Sequence, residues 1–247
     1  MPDRDVEIQS PERVRQRPVP EPVELAVLYE DEAFIALDKP AGVVVHPTYK
    51  NTSGTLLNGV LWRYRDRPEV QPGILTRLDK GTSGVVIIAL NAALHARMQR
   101  DGVAGRMSKE YLALVDATPD PPDGTISLPL ARDTEDRRRV VITETGAPST
   151  TRYRVVHARG PEGPPPRTAV ICTPVTGRTH QIRVHLAAIG CPILGDATYG
   201  RASDAIARQA LHAWRVGLVH PLTREPRLIV SPLPPDMRAL IGDAIDP

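Results

Sequence analysis

The sequence is short of the residues that staple and stack a chain. It holds two cysteines, Cys172 and Cys191, and one phenylalanine, Phe34. Two thiols cannot build a disulfide framework or a four-thiolate zinc site. A reducing, cytoplasmic setting is the expectation that follows. Aromatic residues make up 4% of the chain, too few for a broad base-stacking platform. No apolar run approaches the roughly 18 residues of a membrane span, so no membrane partner is expected. The N-terminal segment lacks the apolar stretch of a secretory signal.

Lysine is scarce as well. Only Lys39, Lys50, Lys80 and Lys109 occur among 31 basic residues, which leaves 27 arginines. Arginine grips phosphate bidentately and stacks on bases. Genomic base composition enriches it too, and the net charge is only +2. Composition alone therefore does not mark a nucleic-acid binder. What the chain does have is a core: apolar residues form 41% of 247 positions, enough for one large domain or two small ones.

Residues 1–22 read as a disordered arm, with Pro2, Pro11, Pro18, Pro20 and Pro22 among charges. Order is expected from Val23 through residue 247. The run 24–47 reads as three short strands, with turns at 30–32 and 39–42. Leu56, Leu57, Val60, Leu61 and Tyr64 have helical spacing. Val85–Leu90 is a buried-type strand, and Asn91 suits the cap of a helix through Met98. Further strands are expected at 111–115, 125–130, 139–143, 150–157, 168–173, 210–219 and 227–231. The segment 160–166 is rich in proline and glycine and reads as a hairpin tip. Thr179 to Ile189 is an amphipathic helix closed by Gly190, and a short helix starts at Pro235. Strands outnumber helices without βαβ alternation. The fold class is α+β, with a large mixed, mainly antiparallel sheet flanked by helices.

Three segments are polar where a core would prefer apolar residues. The loop 76–84, TRLDKGTSG, carries Arg77, Asp79 and Lys80 between glycine hinges. Asp79 could act as nucleophile or general base, or simply cap its own loop. The segment 176–185, TGRTHQIRVH, gathers Arg178, His180, Gln181, Arg183 and His185. Arg183 adjoins the buried face, within reach of an inward carboxylate. His180 and His185 are five residues apart, not the four of a zinc-binding helix, so no metal site is expected. Lys109 and Tyr111 share one face of a strand, as a functional pair or as a solvated lysine beside a core tyrosine.

These segments, in this order, resemble the RluA-type family of RNA pseudouridine synthases. The likeness runs from about Val23 to Met237. YEDEAFIALDKPAGVVVHP, TRLDKGTSGVVIIAL, KEYLALV, TGRTHQIRVHLAAIGCPILGDATYG and QALHAWRVGLVHPLT are its landmarks. The resemblance implies that Asp79 is the catalytic aspartate and Arg77 the arginine that pushes the target base from its stack. It implies that Tyr111 packs on the flipped uracil and that Arg183 pairs with the catalytic carboxylate. Lys109, Arg178, His180 and Gln181 join the RNA-binding set. The pattern is broken at Thr76 and Cys191, where histidine is common, and at Gly81, where an acidic residue is common. The separate N-terminal RNA-binding module frequent in the family is not expected here.

The implied activity isomerises uridine to pseudouridine in ribosomal RNA or tRNA. Atoms are only rearranged, so no cofactor is expected. The implied partner is an RNA stem-loop, met by a monomer. Two rivals share some of the features: a non-catalytic RNA-binding factor, which could dispense with Asp79, and a metal-dependent nuclease, which would want paired carboxylates. Arg137–Arg139 and the set Arg97, Arg100 and Arg106 would extend the RNA face, or serve as solvated surface.

Overall fold

The computed structural model describes residues 18–158 and 168–241. The chain begins with β1 (Val27–Glu30), β2 (Phe34–Lys39) and α1 (Leu56–Arg63). Next come β3 (Gly73–Ile74), β4 (Ser83–Ala89), α2 (Ala92–Val103) and β5 (Met107–Val115). Then follow β6 (Asp123–Ser127), β7 (Leu130–Arg132), β8 (Val140–Ile142), β9 (Thr150–Ala158) and β10 (Thr168–Pro174). The chain closes with α3 (Gln181–Ala188), β11 (Leu211–Val219), β12 (Pro226–Val230) and α4 (Pro235–Ile241).

Ten strands form one sheet, in the order β1-β2-β4-β11-β5-β10-β9-β6, with β12 on β11 and β3 on β4. Strands β7 and β8 pair separately. The fold is the expected α+β class. Among the described residues every strand pair is antiparallel except β4 with β11, where Ser83 meets His212 and Gly84 meets Ala213. That parallel seam lies in the middle of the sheet.

The absence of alternation in β2 and β4 has a simple cause: both faces of these strands are covered. Phe34, Ala36, Val85 and Ile87 pack with Leu94 and Met98 of α2 on one side. Ile35, Leu37, Val86 and Ile88 pack with Leu56 and Val60 of α1, and with Tyr64 just past its end, on the other. A further core gathers β5, β10, α3 and α4 around Leu112, Leu114, Leu186 and Met237. Helix starts follow the sequence signals. Thr55 caps α1 in a reciprocal box with Asn58, and the Asn91 side chain accepts from Leu94 N–H. Gly190 takes φ +74° just past α3.

Three expectations shift. Residues 43–46 do not form a third strand. Their carbonyls are taken elsewhere: Val43 O accepts from the Lys39 ammonium, and Val44 O and Val45 O accept from Leu56 and Leu57 N–H at the start of α1. Helix α2 runs past Met98 to Val103, where buried Asp101 pairs with Arg106 and Arg224. Chain contacts also begin before Val23, since Val19 O accepts from Asn58 Nδ2 and Glu21 N–H donates to Asn58 O. The expected hairpin tip at 160–166, and residues 1–17 of the expected arm, lie outside the described residues.

The seam dictates one glycine. Gly84 has φ +110°, and an added Cβ would stand 2.2 Å from Ala213 O. Backbone on both strands would have to move. Gly84→Ala is expected to lower stability by about 3 kcal/mol, read as the urea midpoint. An unchanged midpoint would contradict this packing.

Candidate active site

The loop 76–82 leads into β4 at the parallel seam, and its shape is set by buried groups beneath it. Lys39, the last residue of β2, is fully buried. Its ammonium donates to the carbonyls of Pro40, Val43 and Lys80 at 2.8, 2.7 and 3.1 Å. Burial, with the charge of Arg208 adding to it, pushes the Lys39 pKa down to about 7. Arg208 holds the next carbonyl, that of Gly81, at 3.2 Å and is itself fixed by Asp236. Thr76 is buried at the loop's base, where its hydroxyl accepts from Ile87 N–H at 2.8 Å. Arg77 and Lys80 are left exposed, with Asp79 half-buried between them.

Helix α3 comes to this loop from the other side. Arg183 is 6% exposed and serves two carboxylates at once. Its Nε and Nη2 donate to Asp196 at 2.6 and 2.8 Å, and its Nη1 donates to Asp79 Oδ2 at 3.0 Å. Asp196 also accepts from Thr198 N–H at 3.0 Å. Burial would raise the Asp196 pKa, but the guanidinium and the backbone N–H groups outweigh it and hold the carboxyl below its usual value. Burial would likewise lower Arg183, but Asp196 and Asp79 outweigh it and raise this guanidinium above its usual range.

His180 precedes α3 with φ 55°, a left-handed conformation that costs a non-glycine residue about 1–3 kcal/mol. The turn carries its ring toward Asp79, with Nε2 3.8 Å from Oδ2. Gln181 lies beneath. Its Oε1 accepts from Thr176 Oγ1 and Arg178 N–H, and its Nε2 donates to Thr150 O and Thr151 Oγ1. The amide is fully engaged inside the protein, so Gln181 shapes the 176–180 turn rather than presenting a free polar edge. Arg178 stands exposed on that turn.

Asp79, Tyr111, Lys109, Arg77, Arg178, His180, Gln181 and Arg183 all line one cleft of about 1240 Å³. The shared face of Lys109 and Tyr111 on β5 is thus the cleft wall. Burial, and then the charge of Asp79, push the Tyr111 phenol up, so it stays protonated. Burial pushes the Lys109 ammonium down. A model of RNA pseudouridylate synthases matches residues 33–188, from β2 to the end of α3. The chain belongs to that family.

Its relatives agree. It is 41% identical to a ribosomal large subunit pseudouridine synthase D of Nitrosomonas europaea, over 90% of this chain and 65% of that protein. The chain therefore spans just under two thirds of that relative's length. It is 37% identical to an uncharacterized RNA pseudouridine synthase of Bacillus subtilis, over 97% of this chain and 79% of that one. Among solved structures, the human RNA pseudouridylate synthase domain containing 1 superposes with a TM-score of 0.70 at 29% identity, covering 89% of this chain and 88% of that chain.

The departures from the RNA pseudouridylate synthase pattern have local explanations. Thr76 closes the loop's base, as described. At Gly81 an added Cβ would stand 2.4 Å from Gln209 Oε1, so Gln209 fills the space a longer residue would need. Cys191 is buried with its thiol toward Ile189 O. Sequence reasoning assigned no part to Asp196, Tyr199, Lys39 or Arg208. Asp196 and Tyr199 stood inside a quoted motif, but only the fold reveals which arginine they face. Of the flanking arginines, Arg106 pairs with Asp101, Arg138 pairs with Asp136, and Arg139 lies over the Tyr199 ring.

Replacing Asp196 takes away the carboxylate that grips the buried Arg183 through two nitrogens and leaves only half-buried Asp79 to balance it. Asp196→Asn is expected to cost about 3 kcal/mol of stability. The folded-state pKa of Asp196 is depressed. Its contribution is therefore complete above the unfolded value of about 3.9 and is lost as pH falls through the lower folded value. Denaturation of wild type and variant at pH 7 and pH 3 checks this: the gap between them should narrow at the lower pH.

Proposed function

We propose that this chain isomerises uridine to pseudouridine in RNA, with Asp79 as the reacting group. The observation that supports this most is the ion pair of Asp79 with Arg183 inside a cleft walled by Tyr111. The reaction breaks the C1′–N1 bond, turns the uracil and forms C1′–C5. The proton lost from C5 is balanced by one gained at N1, so the product is an isomer. C1′ is shielded in a stacked helix, and the nucleotide must first be flipped out. The exposed Arg77, two residues from Asp79, is the side chain suited to fill the vacated space.

Asp79 then acts at the sugar, either by attack at C1′ or by removing a sugar proton. Both routes need the carboxylate held at the sugar, and Arg183 Nη1 holds its Oδ2 at 3.0 Å. The protonated Tyr111 offers its ring as a floor for the uracil. Arg178 and Lys109 supply positive charge at the rim and wall for the RNA backbone. Ribosomal RNA is the first substrate to test, because the Nitrosomonas relative's name specifies the large ribosomal subunit. A tRNA stem-loop is the second.

A factor that merely binds RNA would gain nothing from a half-buried carboxylate. Asp79 repels phosphate, and pairing it with a buried arginine carries a desolvation cost. The cost is intelligible when the carboxylate reacts.

RNA labelled with tritium at uridine C5 provides the test. The wild-type protein should release tritium from ribosomal RNA or tRNA, and Asp79→Asn should fall to background. Arg77→Ala should slow release by about tenfold or more, ~1.4 kcal/mol or more in the barrier, with an unchanged circular-dichroism spectrum. Equal release by wild type and Asp79→Asn would refute the proposal.

A further inference from the structure

Tyr199 lies in the loop between α3 and β11 and organises the groups around Asp79. Its hydroxyl accepts from Val140 N–H at 2.8 Å and stands 2.8 Å from His180 Nδ1. Its ring packs edge-on against the His180 ring, at 5.6 Å between centroids. The guanidinium of Arg183 lies over the same ring at 5.0 Å. One tyrosine thus touches both side chains that approach Asp79 Oδ2.

The hydrogen count fixes the direction of the short bond. A phenol has one proton. The Tyr199 oxygen already accepts from Val140, and burial holds the phenol in its protonated form. The proton points at His180 Nδ1, the one acceptor beside it among the described residues. Nδ1 must then be unprotonated. A neutral imidazole with Nδ1 as acceptor carries its proton on Nε2, and Nε2 is the nitrogen facing Asp79. The opposite tautomer would leave the phenol proton without a partner and turn a lone pair toward a carboxylate.

We propose that Tyr199 is a positioning residue that locks His180 in the Nε2–H tautomer and aims this donor at the Asp79 oxygen already held by Arg183. Two donors then converge on Oδ2. Oδ1, which has no hydrogen-bond partner among the described residues, is the oxygen left to react at the sugar. The His180–Asp79 gap of 3.8 Å is a little too long for a hydrogen bond and closes when substrate displaces water. Burial lowers the His180 pKa against the opposing charge of Asp79, which keeps the ring neutral at pH 7 and above. The charged groups facing the ring are Asp79, Arg183, Asp196 and Arg132. The strained backbone at His180 has a purpose in this account: it is what brings Nε2 over the carboxylate.

The role in turnover rests on the proposed function; the tautomer does not, and it is read without RNA. Nitrogen-15 spectra of the full chain report which ring nitrogen carries the proton, and His180→Gln identifies the His180 signals by their loss. The wild type should show a proton on Nε2 and a bare Nδ1. Tyr199→Phe, which keeps the ring and the packing, should give a mixture of tautomers. A proton on Nδ1 in the wild type, or an unchanged tautomer in Tyr199→Phe, would overturn the proposal.

Turnover supplies a second readout. Glutamine can place an N–H where Nε2 stands, whereas asparagine suits the left-handed backbone better but ends where Nδ1 stands. His180→Gln should release tritium about tenfold faster than His180→Asn, the worth of one hydrogen bond made in the transition state. Asparagine equal to glutamine would show that only the backbone matters and would overturn the assignment.

Discussion

The structure depends on one guanidinium facing two carboxylates. Arg183 is gripped bidentately by Asp196 and has one nitrogen left, which meets Asp79. A single buried ion pair is weak evidence for stability, because desolvation opposes the attraction. Here the second carboxylate turns the pair into a bracket. Asp196 fixes where Arg183 points, and Arg183 fixes where Asp79 sits. This is preorganisation: the guanidinium that meets Asp79 is in place before any RNA arrives.

The bracket needs its two sides brought together, and the sheet does that. The loop bearing Asp79 enters β4 where β4 runs parallel to β11, next to β5 with Tyr111 and Lys109. Two cations beneath the loop, Lys39 and Arg208, hold successive carbonyls at Lys80 and Gly81. Their charge is buried or paired, so they shape the loop and leave Arg77 and Lys80 as the cations it presents outward. A net charge of +2 says nothing of this division between arginines that hold the fold and arginines that face the cleft. Arg208 and Arg106 belong to the first kind, Arg77 and Arg178 to the second, and Arg183 does both, held by Asp196 while it lines the cleft beside Asp79.

Much of this was legible before any coordinates. The caps Thr55 and Asn91, the apolar run 85–90 and the closing Gly190 mark their elements because the signals are local. The third strand expected at 43–46 failed because apolar character does not say who takes the carbonyls; Lys39 and α1 took them. At the site, the period of two on β5 put Lys109 and Tyr111 together, and the edge position of Arg183 anticipated an inward carboxylate. Gln181 shows the limit. Its place in a basic motif suggested a place at the cleft, which it lines, but not that its amide would be engaged by Thr150, Thr151, Thr176 and Arg178. Asp196 and Tyr199 lie 13 and 16 positions beyond Arg183, past a helix end and a turn. No periodicity links residues at such separations.

The central claim is that Asp196 serves Asp79 only by way of Arg183. A double-mutant cycle on tritium release from C5-labelled RNA tests it most directly. Rates are compared for wild type, Asp196→Asn, Arg183→Met and the double variant. If the account holds, the double variant is no slower than Arg183→Met alone, because the link has already been cut. Losses that multiply in full would contradict it.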